Sequence, residues 1–222
     1  MATDHITRRE ALVAASVAGL SLGAYAALRG SPSSSAATSA RCVLTPELTE
    51  GPYYIDDNLL RRDITEGKDG APLQLRLTVE NASTCKPIRG ATVEVWHCDA
   101  LGNYSGFDGV TPKTSYLRGG QKTNANGLAI IDTIYPGWYQ GRTTHIHVKV
   151  HTGGKVVHTG QLFFKDSLNA AVYAAAPYAT HGQPDTTDSS DNIYTGGGSK
   201  SVLATRRKGS GYVGALTMGV KV

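Results

Sequence analysis

The sequence predicts an all-β chain, an antiparallel β-sandwich with long loops and one short helix. Three observations carry that prediction. Several short runs alternate apolar and polar side chains, the period of a half-buried strand. Turn signals separate those runs. Glycine is abundant, at 26 of 222 residues, and only 18% of residues are charged, a balance that favours loop-rich sheet over helix. The length suits one domain with a sizeable core. The formal net charge of +4 is diffuse, with Arg206-Arg207-Lys208 as the one basic block, so nucleic acid is not an expected partner.

Residues 1–40 are expected to lie outside the folded domain. Arg8 and Arg9 precede an Ala-rich apolar run to Leu28, and "SPSSSAATSA" follows. That order is the n-region, h-region and small-residue cleavage zone of an export signal, and the arginine pair suggests the twin-arginine type. An uncleaved anchor is the other reading, because the run is about long enough to span, although it is only mildly apolar. The expectation is export with cleavage to the cell envelope or beyond, no stable membrane association afterwards, and a domain at 41–222. Cys42 follows Arg41 rather than a small residue, so a lipid-modified terminus is not expected. Twin-arginine export carries folded proteins, which suits an enzyme that takes up its cofactor before leaving the cytoplasm.

Residues 41–70 read as an irregular arm. Strands then follow at 73–81 ("LQLRLTVEN"), 91–98 ("ATVEVWHC"), 127–135 ("GLAIIDTIY", after the turn "TNANG"), 144–152 ("THIHVKVHT") and 155–164 ("KVVHTGQLFF"). The last two are expected to pair across Gly153-Gly154. Residues 168–176 look helical, 181–200 look like loop, and "GYVGALTMGV" reads as a final strand. Outside the leader the cysteines are Cys42, Cys85 and Cys98. In an oxidising compartment two would bridge. Cys98 sits in an apolar strand and reads as a small buried hydrophobe. The segment-end pair Cys42 and Cys85 is favoured, but the sequence does not decide.

The segment "YPGWYQGRTTHIHVKV" at 135–150 carries the chemistry. Residues two apart in a strand share a face, so His145, His147, Lys149 and His151 point one way and Ile146, Val148 and Val150 the other. A polar outer strand face explains the pattern, and so does a metal held by alternating imidazoles. Two imidazoles do not complete a site. Tyr139, in the loop leading into the strand, is within reach of the same ion. A phenol of pKa about 10 becomes a ligand only to a strongly Lewis-acidic cation, so this set suits ferric iron better than zinc or calcium. Tyr104 is flanked by Gly102, Ser105 and Gly106, which are expected to leave a phenol room; taken alone it reads first as a loop aromatic packed on the core. His97 has the parity of Val93 and Val95 and reads as a hydrogen-bonded core histidine. Lys149 and His151 read as rim or surface residues.

Taken together and in order, "LTPELTEGPYY", "GATVEVWHCDALGNYSGFD", "YLRGGQKTNANGLAIIDTIYPGWYQGRTTHIH" and "TGQLFF" resemble the intradiol ring-cleaving dioxygenases, in their exported, single-domain branch. The resemblance runs from about Thr45 to Phe164. It implies Fe(III) held by Tyr104, Tyr139, His145 and His147, with Tyr139 also taking part in proton transfer. It implies that Gln161 reaches the site and that Arg142 stabilises negative charge on the ring. Pro52, Tyr53, Tyr54 and Trp138 would line the substrate mouth. The implied reaction opens a catechol between its hydroxyls with O2, giving a muconate-type diacid without an external reductant. The segment from Tyr139 to His145 is shorter than in the best-known members, so the pocket wall must differ. The helical dimerisation region of the catechol-cleaving branch is absent, which leaves the oligomeric state open. Two other readings remain: "CKPIRGATVEVW…TNANGLAIIDTIYPG" also resembles prealbumin-like sandwich modules that bind without catalysis, and an exported copper enzyme would need a third histidine from His97 or His151.

Overall fold

A computed structural model describes residues 42–109 and 113–222; the expected leader lies outside them. The described residues fall within one compact unit, Ser39–Val222. The strands are β1 (Pro72–Asn81), β2 (Thr92–Trp96), β3 (Arg118–Lys122), β4 (Leu128–Ile134), β5 (His145–Thr152), β6 (Lys155–Phe163), β7 (Ala204–Lys208) and β8 (Gly211–Val220). They form two four-stranded sheets, ordered β4-β1-β8-β7 and β3-β2-β5-β6. The sandwich expected from the sequence is present. One pairing departs from the antiparallel pattern: β1 and β8 run parallel. β8 follows an antiparallel hairpin with β7, and that hairpin brings the last strand in beside the first.

The alternation of β1 does what its pattern requires. Leu73, Leu75, Leu77 and Val79 are buried while their neighbours are not. They join Ala129 and Ile131 of β4, Val93 and Val95 of β2, and Ile146, Val148 and Val150 of β5 in one core between the sheets. Each such side chain contributes about 1.5–3 kcal/mol when fully removed from water. Helix α1 (Asp166–Tyr173) buries Asn169, Val172 and Tyr173, the i, i+3, i+4 stripe of a helix resting on a core.

The polar face of β5 is buried as well: every residue from His145 to Val150 is inaccessible. The arm before β1 roofs it, with the Leu48 amide donating to the Thr159 carbonyl at 3.0 Å and Glu47 accepting from the Thr159 amide at 2.9 Å. This corrects the surface reading of Lys149, which is 6% exposed. Its ammonium is ion-paired to Glu50 and lies 3.4 Å from the centroid of the Tyr54 ring. His151 is half-buried and meets Glu94 at 3.1 Å.

Cys42 and Cys85 form a disulfide, and Cys98 is free and buried. The 181–200 segment is not plain loop. It contains the short helix α2 (Asn192–Thr195) and 3-10 turns at Asp188–Ser190 and Gly198–Ser201.

Candidate metal centre

The site stands on the outer face of the second sheet. Antiparallel register sets Trp96 opposite both Arg118 and His147, and His147 opposite Gln161. Arg118, Trp96, His147 and Gln161 therefore form one row across four strands. The indole of Trp96 stacks on the His147 ring, centroids 4.9 Å apart and planes within 6°. On the arm, Gly51 adopts φ +73°, and a Cβ there would come within 3.1 Å of His147 Cε1. Glycine thus serves both the backbone turn and the close approach to the ring.

Two loops bring the phenols in. Gly137 has no room for a side chain: a Cβ would fall 2.4 Å from the Asp99 carbonyl oxygen. A Cβ on Gly102 would fall 2.4 Å from the Trp138 carbonyl oxygen. These contacts bind the Tyr104 loop to the Tyr139 loop. The expectation that Gly102, Ser105 and Gly106 clear space for the Tyr104 phenol is therefore corrected. Gly102 admits the Trp138 backbone, Gly106 admits Ile55, whose Cδ1 would be 2.6 Å from a Cβ, and Ser105 donates its hydroxyl to the Tyr116 carbonyl at 2.6 Å. Buried Arg118 ties the loop down, donating to Ser105 Oγ and O at 2.8 Å and to the Tyr53 carbonyl at 2.7 Å.

Three donor atoms meet, with the Tyr104 phenol beside them. His145 Nδ1 is 2.7 Å from the Thr143 carbonyl, so that nitrogen carries the proton and Nε2 keeps its lone pair. Tyr139 Oη lies 3.0 Å from this Nε2, and His147 Nε2 lies 3.2 Å from it on another side. His147 Nδ1 has no hydrogen-bond partner, so its Nε2 either donates to His145 Nε2 or offers a second lone pair to a cation. The Tyr104 hydroxyl is buried without a well-formed hydrogen bond, and its ring centroid is 5.7 Å from that of Tyr139. Two buried phenols beside two neutral imidazole rings fit a cation-binding pocket. Among the described residues no three His, Cys, Asp or Glu side chains cluster as a metal site; the anionic donors available are tyrosines. The third histidine that a copper site needs is not supplied. His97 engages the Cys98 carbonyl and Thr133 Oγ1, each at 2.8 Å, as a core histidine should, and His151 is paired to Glu94.

Burial sets the protonation. It lowers the pKa of His145 to about 3, with Arg142 adding to the effect, and lowers that of His147 well below its ordinary value, helped by His145. Both rings are neutral at physiological pH. Burial raises Tyr104 well above the ordinary phenol and pushes Tyr139 up to about 12, with Arg142 opposing. The phenols ionise here only if a strong cation compensates.

Arg142 lies beside the donors, with Nη1 3.5 Å from Tyr139 Oη and 3.4 Å from His145 Nε2. Its Nη2 donates to Gln161 Oε1 at 2.5 Å, and Gln161 Nε2 donates to the Thr49 carbonyl at 2.9 Å. Its Nε donates to buried Asp191 at 2.8 Å. Of the arm residues, Tyr53 stacks on Tyr104, centroids 4.2 Å apart, and meets Tyr139 edge-on. Tyr54 packs on Trp96 and is not against the phenols, while Pro52 is exposed beside Tyr53. Trp138 faces His181, centroids 4.3 Å apart, and donates to the Gly182 carbonyl at 3.0 Å. Sequence reasoning missed Trp96, Arg118 and Asp191. The parity of Trp96 with Glu94, opposite to that of Val93 and Val95, was the signal for the first.

A family model described as a dioxygenase matches residues 49–180. Catechol 1,2-dioxygenase 1 of Acinetobacter lwoffii is 34% identical over 134 residues, 55% of this chain and 43% of the relative. Chlorocatechol 1,2-dioxygenase of Cupriavidus pinatubonensis is 31% identical over 153 residues, 59% of each. The chain thus spans about half the length of the curated relatives it matches. An intradiol ring-cleavage dioxygenase from Tetranychus urticae superposes with TM-score 0.76 at 34% identity, covering 81% of this chain and 95% of that one. The dioxygenase domain of a carbohydrate-binding fusion from Streptomyces sp. SirexAA-E gives TM-score 0.63 at 31% identity, covering 81% and 99%.

Proposed function

The chain belongs to the intradiol ring-cleavage dioxygenases, and from that premise we propose that it opens catechol-type diols between their hydroxyls, using O2 and a ferric ion held by Tyr104, Tyr139, His145 and His147. The observation that carries the reading is that Tyr139 Oη and His147 Nε2 both lie within 3.2 Å of His145 Nε2, beside the buried Tyr104 hydroxyl. When bound, ferric iron supplies the Lewis acidity and electron acceptance that let a catechol react with dioxygen.

The chain's residues divide the remaining work. Tyr104 is 3% exposed and stacked on one face by Tyr53, a fixed position that suits a lasting ligand once a ferric ion offsets the cost of burying the phenolate. Tyr139 is less buried and adjoins the Arg142 cation. Its Oη is the base placed to accept a proton from the incoming catechol. The guanidinium Nη atoms stabilise negative charge that develops on the ring oxygens. Gln161 accepts from Nη2 at 2.5 Å and anchors that end of the group. Trp96 and Tyr53 keep water from the His147 and Tyr104 rings. Both oxygen atoms of O2 end in the muconate-type diacid, so no reductant is consumed. Pro52, Tyr53 and Trp138 are the proposed mouth residues, with Tyr54 acting through Trp96.

The likeness to relatives whose names specify catechol and chlorocatechol supports a catecholic substrate. We propose further that residues 1–40 direct export; the disulfide among the described residues fits an oxidising compartment. Oxygen uptake over a panel of catechols, substituted catechols and hydroxyquinol, run under 18O2, tests the function. Two labelled oxygens in an acyclic diacid are expected. An unreactive panel, or ring opening outside the two hydroxyls, would contradict it.

A further inference from the structure

The bridge between Tyr139 and His145 is gripped by a segment that lies beyond the family match, which ends at residue 180. Three carboxylates spaced three residues apart do this. Asp185 accepts from the Gly141 amide at 3.1 Å, Asp188 from Thr143 Oγ1 at 2.8 Å, and Asp191 from Arg142 Nε at 2.8 Å and the Thr143 amide at 3.0 Å. Asp191 is the buried member, with a side chain 1% exposed. Its other oxygen accepts from the amides of Ile193 and Tyr194 at 2.7 and 3.1 Å, capping α2. Every lone pair that faces a donor is thus used, and the carboxylate has one orientation.

That orientation has two consequences at the site. By taking Nε, Asp191 turns both Nη groups of Arg142 away from itself, toward Tyr139 and Gln161. By taking the Thr143 amide, it fixes the peptide unit that begins Thr143, whose own carbonyl receives the His145 Nδ1 proton. Gln161 alone does not fix the guanidinium, because a single bond to one Nη leaves rotation about it free.

We infer that Asp191 is a positioning residue of the proposed dioxygenase site, aiming the Arg142 guanidinium and, through Thr143, the imidazole of His145. It rests on the proposed function and deepens it by bringing the chain's C-terminal segment into the site. It predicts a buried, directional ion pair rather than a merely stabilising one, and the loss on breaking such a pair falls on whichever state needs the geometry.

Asp191→Asn keeps a side-chain oxygen for the α2 cap but removes the charge that holds Arg142. In the wild-type iron-free protein, the Arg142 Nε–H is expected as a slowly exchanging 15N resonance, assigned by its absence in Arg142→Lys. It should be lost to solvent exchange in Asp191→Asn. In the iron-loaded protein, kcat/KM for catechol should fall roughly ten- to a hundredfold, chiefly through kcat. The double variant Asp191→Asn/Arg142→Lys should fall by less than the product of the two single losses, its small excess over Arg142→Lys reporting the route through Thr143 to His145. Asp191→Glu should recover part of the loss. An Nε–H that exchanges freely in the wild type, one unchanged in Asp191→Asn, or losses that multiply in the double variant would overturn the inference. A wild type that cleaves no catechol would refute the proposed function instead, and the resonance would still decide the positioning.

Discussion

The Nε2 atoms of His145 and His147 face each other 3.2 Å apart, each ring held in place from behind. The Thr143 carbonyl holds His145 at Nδ1, and Trp96 and Gly51 enclose His147. This arrangement leaves two neutral imidazoles whose Nε2 atoms address the same point. His147→Asn is therefore expected to reduce ferric-ion affinity by more than the roughly 10–100-fold that follows loss of a ligand's hydrogen-bond partner. Because the His147 ring is buried and stacked on Trp96, the iron-free variant should also lose about 1–3 kcal/mol of stability. Metal titration and calorimetry on the same preparation check both parts.

Gly137 lets the two phenol loops touch. A methyl group there would press on the Asp99 and Ala100 carbonyls at 2.4 and 2.6 Å, and the Gly137 amide donates to the Asp99 carbonyl at 3.0 Å. Gly137→Ala should cost about 1–3 kcal/mol of stability, the usual range for overpacking. It should also lower bound iron per chain, since the loops carry separate ligands. Denaturant unfolding and iron analysis measure the two effects independently.

His97 gives the chain a pH dependence unrelated to the metal. Burial lowers its pKa to about 4, against about 6.5 for the unfolded side chain. Between those values the unfolded chain binds the proton and the folded chain does not. Stability from His97 is thus complete above pH 6.5 and is lost as pH falls toward 4, by up to about 3 kcal/mol. Urea midpoints measured across that window should rise with pH. In His97→Gln, which keeps a polar partner for Thr133 but does not titrate, the rise should be shallower by about one proton.

The Cys42–Cys85 bridge spans 43 residues and anchors the arm whose later residues roof the histidines. In the chain-entropy picture a closed loop of that size is worth about 4 kcal/mol. Replacing both cysteines with serine should lower unfolding free energy by roughly 2–4 kcal/mol. It should also increase proteolytic cleavage within residues 42–60, read by mass spectrometry.

The strands that could be read from sequence, β1, β2, β4, β5, β6 and the final β8, carry apolar side chains at alternate positions or in short apolar runs, although in β5 both faces are buried. β3, "RGGQK", and β7, "ATRRK", carry no apolar alternation, because one has Arg and two glycines where the loops press close and the other is an exposed edge. The parallel pairing of β1 with β8 was equally hidden, since periodicity identifies a face and not a partner. In the site, Tyr139, His145 and His147 were legible because they are near in sequence. Tyr104 was assigned through resemblance. Lys149 was misread because parity places it on the outer face, and nothing in β5 says that the arm covers that face. Asp191 was hidden in a polar, glycine-rich tail whose short helix has too few residues to leave a periodic signal.

The most direct test of the account is the visible absorption spectrum of the protein loaded with one ferric ion per chain, compared with Tyr104→Phe and Tyr139→Phe. Two tyrosinate ligands predict a strong, broad charge-transfer band and a red protein, with the band weakened and shifted in each single variant and absent when both are replaced. A colourless wild type with full iron occupancy, or a band unchanged in both variants, would contradict the assignment of the phenols as ligands.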